Sequence, residues 1–320
     1  MKNLVILSYG NRVENRRAVG AVMSFWAWYS GDKEEVRTII YTDDPDYFRS
    51  LLENLPLEYV LLTLPMLDAM LNGGDYIHRR KIAVIDETYK KYPLEDVLFI
   101  DSDTFFIADP KDWLKSFKEG KSFMHVAEFS FEKAVQHFTS FQQEIFPISF
   151  INLIESKKFY IDNIEEQLNR NQVSWNSGVL GLPSNIGKYM KDIFALSDEF
   201  YEKTSWRISE QLAFSLVLQL KTEVYPSNQY VYHYWSPRQK VVMDSILMSF
   251  FTERMTKQSQ NSLLKKMRLS TKRWKEYIEL NNMKYEVNNS FSNKYYLRGC
   301  KYIVHTILKG LLYSRFNLYV

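Results

Sequence analysis

The stretch Asp96-Val97-Leu98-Phe99-Ile100-Asp101-Ser102-Asp103-Thr104-Phe105-Phe106 organises the reading of this chain. Val97–Ile100 is an unbroken apolar run of strand length, the pattern of a strand buried on both faces. Two carboxylates one residue apart follow it, and the chain turns apolar again at once. Carboxylates held between apolar segments are costly without a counter-charge. A divalent cation resolves that cost. Mn2+ or Mg2+ suits oxygen ligands and binds through one or two carboxylates plus substrate phosphates. The plainer account is a strand-end turn in which Asp101 caps the next segment. A bare Asp-x-Asp recurs by chance: Asp44-x-Asp46 is another, and beside Pro45 it reads as a solvated turn.

Working outward, apolar runs alternate with helical patterns. Leu4–Leu7, Thr38–Tyr41, Tyr59–Leu64, Asp96–Ile100 and Phe123–Ala127 read as strands. Glu14–Tyr29, Tyr47–Glu53 and His78–Tyr92 read as helices between them, followed later by Ile186–Tyr201 and by Ser209–Leu220 with Ser209 as N-cap. The segment 128–170 reads as irregular to helical and polar. Trp175-Asn176-Ser177-Gly178 leads into an apolar strand, and Tyr230–Trp235 is an aromatic-rich segment stopped by Ser236-Pro237. This alternation predicts an α/β fold, a Rossmann-like, mainly parallel sheet with helices on both faces. Such sheets bind ligands beyond the carboxyl ends of their strands. That directs attention to Ser8-Tyr9-Gly10, Thr42-Asp43-Asp44 and Asp101-Ser102-Asp103.

At 320 residues and 46% hydrophobic, the chain can bury a large core, and it divides into a domain at 1–240 and a helical, basic-aromatic region at 241–320. A single cysteine, Cys300, excludes an internal disulfide, and no Cys/His cluster has zinc spacing. The N-terminal apolar run reads as a strand rather than a signal peptide, and no segment has the length of a membrane span. The expectation is a cytoplasmic protein. The net charge of +3 hides an asymmetry. Residues 251–320 carry about 14 Lys/Arg against about 4 Glu, so this tail is near +10 and the body near −7. Tyr295–Val320 mixes apolar residues with Arg298, Lys301, Lys309 and Arg315. Two accounts stay open: an interfacial helix making peripheral contact with the cytoplasmic face of a membrane through 260–320, or a C-terminal helix packed on the domain. No nucleic-acid-binding motif accompanies these charges.

The segment Asp96–Phe106 resembles the Asp-x-Asp segment of GT-A glycosyltransferases, especially glycosyltransferase family eight and related bacterial nucleotide-diphospho-sugar transferases. The resemblance covers about residues 1–235 and implies a GT-A-type fold. It implies that Asp101, Asp103 and His233 are metal ligands, with Asp101 also near the ribose beside Ser102. Ser8 and Tyr9 would flank the nucleotide, Thr42 and Asp43 would meet base and ribose, and Arg80 or Lys81 would be the basic residue near it. Asn176-Ser177-Gly178 resembles the family's Asn-Ala/Ser-Gly segment. There Asn176 and Ser177 would bind the donor sugar, and Gly178 would admit the backbone close to it. Glu210-Gln211 matches the family's Asp-Gln pair at a helix start, which puts one of the two beneath the anomeric carbon as the catalytic residue. The family's His-x-x-Gly-x-x-Lys-Pro-Trp continuation is absent after His233, and no lysine stands at its expected place.

The implied activity is metal-dependent transfer of a sugar from a nucleotide-diphosphate-sugar, a UDP-sugar, to a glycan or lipid-linked acceptor. Gln211 beneath the anomeric carbon implies retention, because an amide is neither base nor good nucleophile; Glu210 facing the acceptor would permit inversion. Two other readings stand beside it. One is a catalytically degenerate GT-A domain that binds nucleotide-sugar or glycan. The other is a Mg2+-dependent haloacid-dehalogenase-like phosphatase, a family that wants Thr or Val two residues after the second Asp, where this chain has Phe105.

Overall fold

The structure is a computed structural model describing all residues except 140, 253–258, 293 and 318–320; for 252, 298, 309 and 311–317 it describes the backbone alone. The side chains of Arg298, Lys309, Leu311, Leu312 and Arg315, part of the basic-aromatic tail, therefore lie outside the described residues.

Elements alternate from the start: β1 (Lys2–Ser8), α1 (Arg12–Trp28), β2 (Val36–Thr42), α2 (Pro45–Leu51), β3 (Leu57–Leu61), α3 (Leu64–Ala69), α4 (Arg79–Lys91) and β4 (Asp96–Ile100). Then come β5 (Thr104–Phe106), α5 (Lys111–Lys115), β6 (Lys121–Met124), β7 (Ala127–Ser130), α6 (Phe131–Thr139), α7 (Ile145–Ser156), β8 (Phe159–Ile161), β9 (Ile164–Glu166), β10 (Val173–Trp175) and β11 (Val179–Leu182). The remainder is α8 (Met190–Thr204), α9 (Ser209–Lys221), β12 (Glu223–Pro226), β13 (Val231–His233), α10 (Pro237–Thr252), α11 (Gln260–Ser292) and α12 (Tyr296–Asn317).

Seven strands form the central sheet in the order β12-β6-β11-β4-β1-β2-β3. Every neighbouring pair is parallel except those involving β11, which runs against β4 and β6. The mixed α/β architecture with a mostly parallel sheet is as the alternation predicts. Its cause is visible in the strands. Along β4, Val97 and Phe99 enter the core on one face while Leu98 and Ile100 enter the core on the other. β1 divides likewise, with Val5 on the first face and Leu4 and Ile6 on the second. Strands buried on both sides need apolar residues at every position.

Several local expectations change. Segment 128–170, read as irregular to helical, carries two helices but also a strand and a small hairpin. Its Phe131, Phe150 and Phe159 are buried in the main core. Ser209 is not an N-cap: it lies inside α9, and its hydroxyl donates to Trp206 O at 2.6 Å. Asp44 does cap α2 by accepting from Tyr47 N and pairs with Arg12 at 2.8 Å, so the second Asp-x-Asp is a turn and cap.

The C-terminal helices α10 and α11 lie on α1. Leu247 sits over Gly20, where an added Cβ would come within 2.9 Å of Leu247 Cδ2. Met267, Trp274 and Ile278 join the core that holds Leu4 and Ile6, and Trp28 Nε1 donates to Thr271 Oγ1 at 2.9 Å. α12 packs along α11. Among the described residues no helix is long and apolar enough to cross a membrane.

Candidate functional site

β4 ends at Ile100, and the next residue is fixed by the backbone: Asp101 N donates to Gly178 O at 2.9 Å, extending the pairing of β4 with β11. Thr104 Oγ1 donates to Asp101 O at 2.7 Å and closes the Asp-Ser-Asp turn. β5 then pairs antiparallel with β13, setting Thr104 opposite His233, and Tyr234 N donates to Asp103 O at 3.0 Å. This pairing carries His233 to the turn. Ligand atoms of Asp101, Asp103 and His233 lie within 4.8 Å of one another.

The imidazole of His233 is oriented on both sides. Its Nδ1 lies 2.9 Å from Asn176 Oδ1, which also accepts from Gly178 N at 3.0 Å. An oxygen already holding one N–H is an acceptor, so Nδ1 carries a proton. Nε2 then faces Asp103 Oδ1 at 3.2 Å. That pair of atoms requires positive charge between them, a proton or a divalent cation, and a histidine fixed through its other nitrogen is the arrangement metal ligands show. Gly178 is required by the same ring, because a Cβ there would overlap His233. Two carboxylates and one imidazole, with room for further oxygens in the adjoining cleft, are a donor set that suits a divalent cation.

A closed network stands behind Asp101. Lys81 from α4 donates to Asp101 Oδ2 at 3.0 Å and pairs with Glu210 Oε1 at 2.9 Å. It also reaches Ser177 Oγ at 3.2 Å and Ser177 O at 3.3 Å. Ser177 Oγ donates to Glu210 Oε1 at 2.6 Å, and Glu210 N donates to Tyr76 OH at 2.8 Å. Gln211 is equally engaged: its Oε1 accepts from Ser177 N at 3.3 Å, and its Nε2 donates to Glu128 Oε2 and Ser174 Oγ, each at 2.9 Å. Asn176 Nδ2 donates to the other Glu128 oxygen at 3.0 Å.

Burial and pairing compete in the ionisation of these groups. Burial pushes Glu210 up, but Lys81, His78 and the Ser177 hydroxyl outweigh it and hold the carboxyl below its usual range. Burial likewise pushes Lys81 down, and Asp101 with Glu210 overrides it, keeping the ammonium charged. Desolvation wins at Asp101, which is raised despite Lys81, with Asp103 adding to the rise. At Asp103 desolvation loses: His233 and Lys240, whose Nζ lies 2.8 Å from Oδ2, hold it well below the usual carboxylate range.

In front of these carboxylates opens a cleft of about 400 Å³ lined by Leu7, Ser8, Tyr9, Glu14, Ile77, His78, Lys81, Phe99, Asp101, Ser102, Asp103 and Lys240. Ser8, Tyr9, Lys81, Asp101, Ser102 and Asp103 thus share one wall. Thr42, Asp43 and Arg80 stand off it. Asp43 Oδ2 accepts from Gly10 N at 2.8 Å, Thr42 Oγ1 accepts from Asp44 N at 3.2 Å, and Arg80 donates to Tyr9 OH at 2.9 Å. Asn176, Gln211, Glu210 and His233 connect to that wall by the hydrogen bonds above.

Sequence reasoning missed four residues here: Glu14, His78, Glu128 and Lys240. Glu14 accepts from Ser102 Oγ at 2.8 Å and pairs with Arg17. Lys240, in the first turn of α10, lines the cleft although the place where the resemblance expects a lysine after His233 holds Gln239. For Glu14 and His78 the signal was position alone, at the starts of α1 and α4 where they face the strand ends. For Lys240 it was the helix start at Ser236-Pro237. Glu128 carried no signal.

No protein-family model matches the sequence, and no curated protein matches it. Solved structures resemble the fold. Mouse xyloside xylosyltransferase 1 (apo form) is 10% identical, over 71% of this chain and 85% of that one, with a TM-score of 0.44. Galactosyltransferase LgtC, with donor and acceptor sugar analogues, is 13% identical over 70% of this chain and 73% of that one, at 0.43. An active-site mutant of LgtC is 13% identical over 70% and 72%, at 0.45.

Proposed function

We propose that this chain is a GT-A-type glycosyltransferase that uses a divalent cation, Mn2+ or Mg2+, to bind a nucleotide-diphosphate-sugar, a UDP-sugar, and passes the sugar to a glycan or lipid-linked acceptor. The observation that carries the reading is the gathering of Asp101, Asp103 and His233 at the carboxyl end of a buried strand, opening onto a cleft with Lys240 on its wall. When bound, the cation supplies charge neutralisation to a diphosphate leaving group. The chain's own residues do the rest. Asp101, Asp103 and His233 hold the cation. Ser8 and Tyr9 border the space for the nucleoside, with Thr42, Asp43 and Arg80 bracing that border. Asn176, Ser177 and Gln211, whose polar groups are held by Glu128, Glu210 and Ser174, would turn toward a donor sugar only by exchanging those bonds.

The burial and pairing of Glu210 support retention. Its carboxylate is committed to Lys81 and Ser177 and is 3% exposed, so it is poorly placed to take a proton from an acceptor hydroxyl. One observation favours a second reading on stereochemistry: Glu128 is an exposed carboxylate beside Gln211 and Asn176, and as a base it would give inversion. Following the product anomer by NMR separates the two.

The acceptor side of the proposal includes peripheral membrane contact. α12 exposes Leu297, Val304, Ile307 and Leu308, with exposed Lys301 among them, as an interfacial helix would. Cosedimentation with anionic vesicles, weaker with neutral ones, is the expected result; no cosedimentation with either removes the membrane from the proposal.

The deciding experiment is calorimetric titration of UDP-, GDP- and CMP-linked sugars with and without Mn2+, on the wild type and on Asp103→Ala. Metal-dependent binding of one nucleotide class, lost in the variant, is expected. Binding indifferent to both metal and Asp103 overturns the metal assignment. Metal-dependent binding with neither transfer nor donor hydrolysis supports the degenerate-domain reading.

A further inference from the structure

Two lysines neutralise the carboxylates of the Asp-Ser-Asp turn, and they are held in different ways. Lys81 is enclosed by Asp101, Glu210 and Ser177, with its side chain 10% exposed. The Lys240 side chain is 33% exposed, lines the open cleft, and among the described residues its ammonium has one partner, Asp103 Oδ2 at 2.8 Å. The helix beneath Lys240 is anchored. Lys240 N donates to Ser236 O at 3.0 Å, Gln239 Nε2 donates to Tyr232 OH at 3.3 Å, and Asp244 accepts from Arg17 at 2.6 and 2.7 Å. The four-carbon stem can therefore swing without α10 moving.

The Lys240 ammonium rests on a carboxylate that belongs to the candidate metal cluster. An ammonium and a divalent cation sharing one small carboxylate repel each other at such separations, and the low dielectric around Asp103 strengthens that repulsion. We propose that Lys240 is a displaceable counter-ion. It neutralises Asp103 until a divalent cation and a nucleoside diphosphate arrive, then exchanges the carboxylate for a phosphate oxygen. A cation arriving alone must send Lys240 into water with no new anion to meet. A cation arriving with a diphosphate supplies that anion. Cation and diphosphate are then positively coupled through Lys240, and by linkage each strengthens the other to the same degree. This inference rests on the transferase reading of the same cleft.

The test is Mn2+ binding itself, followed by the electron paramagnetic resonance signal of free Mn2+, with and without UDP. The proteins are wild type, Lys240→Met and Lys240→Arg, and thermal unfolding confirms that each variant is folded. Lys240→Met should bind Mn2+ alone about tenfold more tightly than wild type and gain less from UDP, since part of the coupling is gone. Lys240→Arg keeps the charge and should behave as wild type. A Lys240→Met protein that binds Mn2+ alone no more tightly than wild type overturns the exchange while leaving the transferase reading intact, provided wild type takes up Mn2+ with UDP. Wild type that binds no Mn2+ even with UDP overturns both.

Discussion

Around Asp101 the partners are buried: Lys81, Glu210, Ser177 and Gln211 hydrogen-bond one another between α4, α9 and the turn before β11, and Glu128 links Gln211 to Asn176. Around Asp103, two residues along the chain, the partners come from β13 and the start of α10, and one of them reaches in from a solvent-facing position. The first region has the character of a core and the second that of a binding surface. A buried polar network raises the cost of removing any member, whereas a partly exposed ion pair contributes little to stability and can be exchanged for a ligand. The same turn thus serves as a rigid wall on one side and an adaptable site on the other.

The largest effect expected is functional and falls on the adaptable side. Asp103→Ala should lower kcat/KM for donor hydrolysis or transfer by about a thousandfold or more and abolish metal-dependent donor binding. Retained activity would place the metal elsewhere. Next is the rigid side. Lys81→Met leaves Glu210 and Asp101 without their shared counter-charge and should destabilise the protein by about 3–5 kcal/mol in denaturant titrations. Lys240→Met should cost less than about 1 kcal/mol. Equal losses from the two lysine variants would erase the contrast.

A finer probe is Glu128→Gln. Glu128 Oε1 and Oε2 accept from Asn176 Nδ2 and Gln211 Nε2, and an amide can accept only one of these bonds. The expected result is about a 10–100-fold loss of activity with an unchanged melting temperature. An unchanged rate would make Glu128 a bystander.

The smallest and most diffuse effect is in the pH dependence of stability. His125, buried with its ring 5.4 Å edge-on from His233, is depressed to about 3 by burial first and by His233 second. Its folded value lies below its unfolded value near 6.5, so the unfolded chain binds the extra proton between them. The stability from keeping His125 neutral is therefore complete above about pH 6.5 and is lost as pH falls toward 3. His125→Phe should flatten urea-midpoint curves over that window. A slope identical to wild type would assign the acid sensitivity to other groups.

Much of this site was legible in the sequence because its chemistry is local. An apolar strand ending in two carboxylates locates the turn without knowledge of distant contacts, and uninterrupted apolar runs reveal strands covered on both faces. Asn176-Ser177-Gly178 and Glu210-Gln211 stood out through their resemblance to glycosyltransferase segments, not through any periodicity of their own. Glu128 was invisible, since a lone acid in a polar-looking segment is what a solvated loop also contains. Lys240 was missed for a different reason: a motif with fixed spacing was sought, whereas the chain delivers its ammonium from a helix start.

By itself, the sequence determined the layered α/β arrangement, the position of the Asp-Ser-Asp turn at a strand end and the charge contrast between body and tail. Those properties depend on periodicity and on the cost of burying charge, which act over a few residues. Only the tertiary structure decided which partner each carboxylate received. Pairing of β5 with β13 set His233 against Asp103, packing of α4 beneath β4 locked Lys81 between Asp101 and Glu210, and the lie of α10 brought Lys240 to the cleft. Such choices are made by elements far apart in the chain, where side chains meet because backbones have already packed.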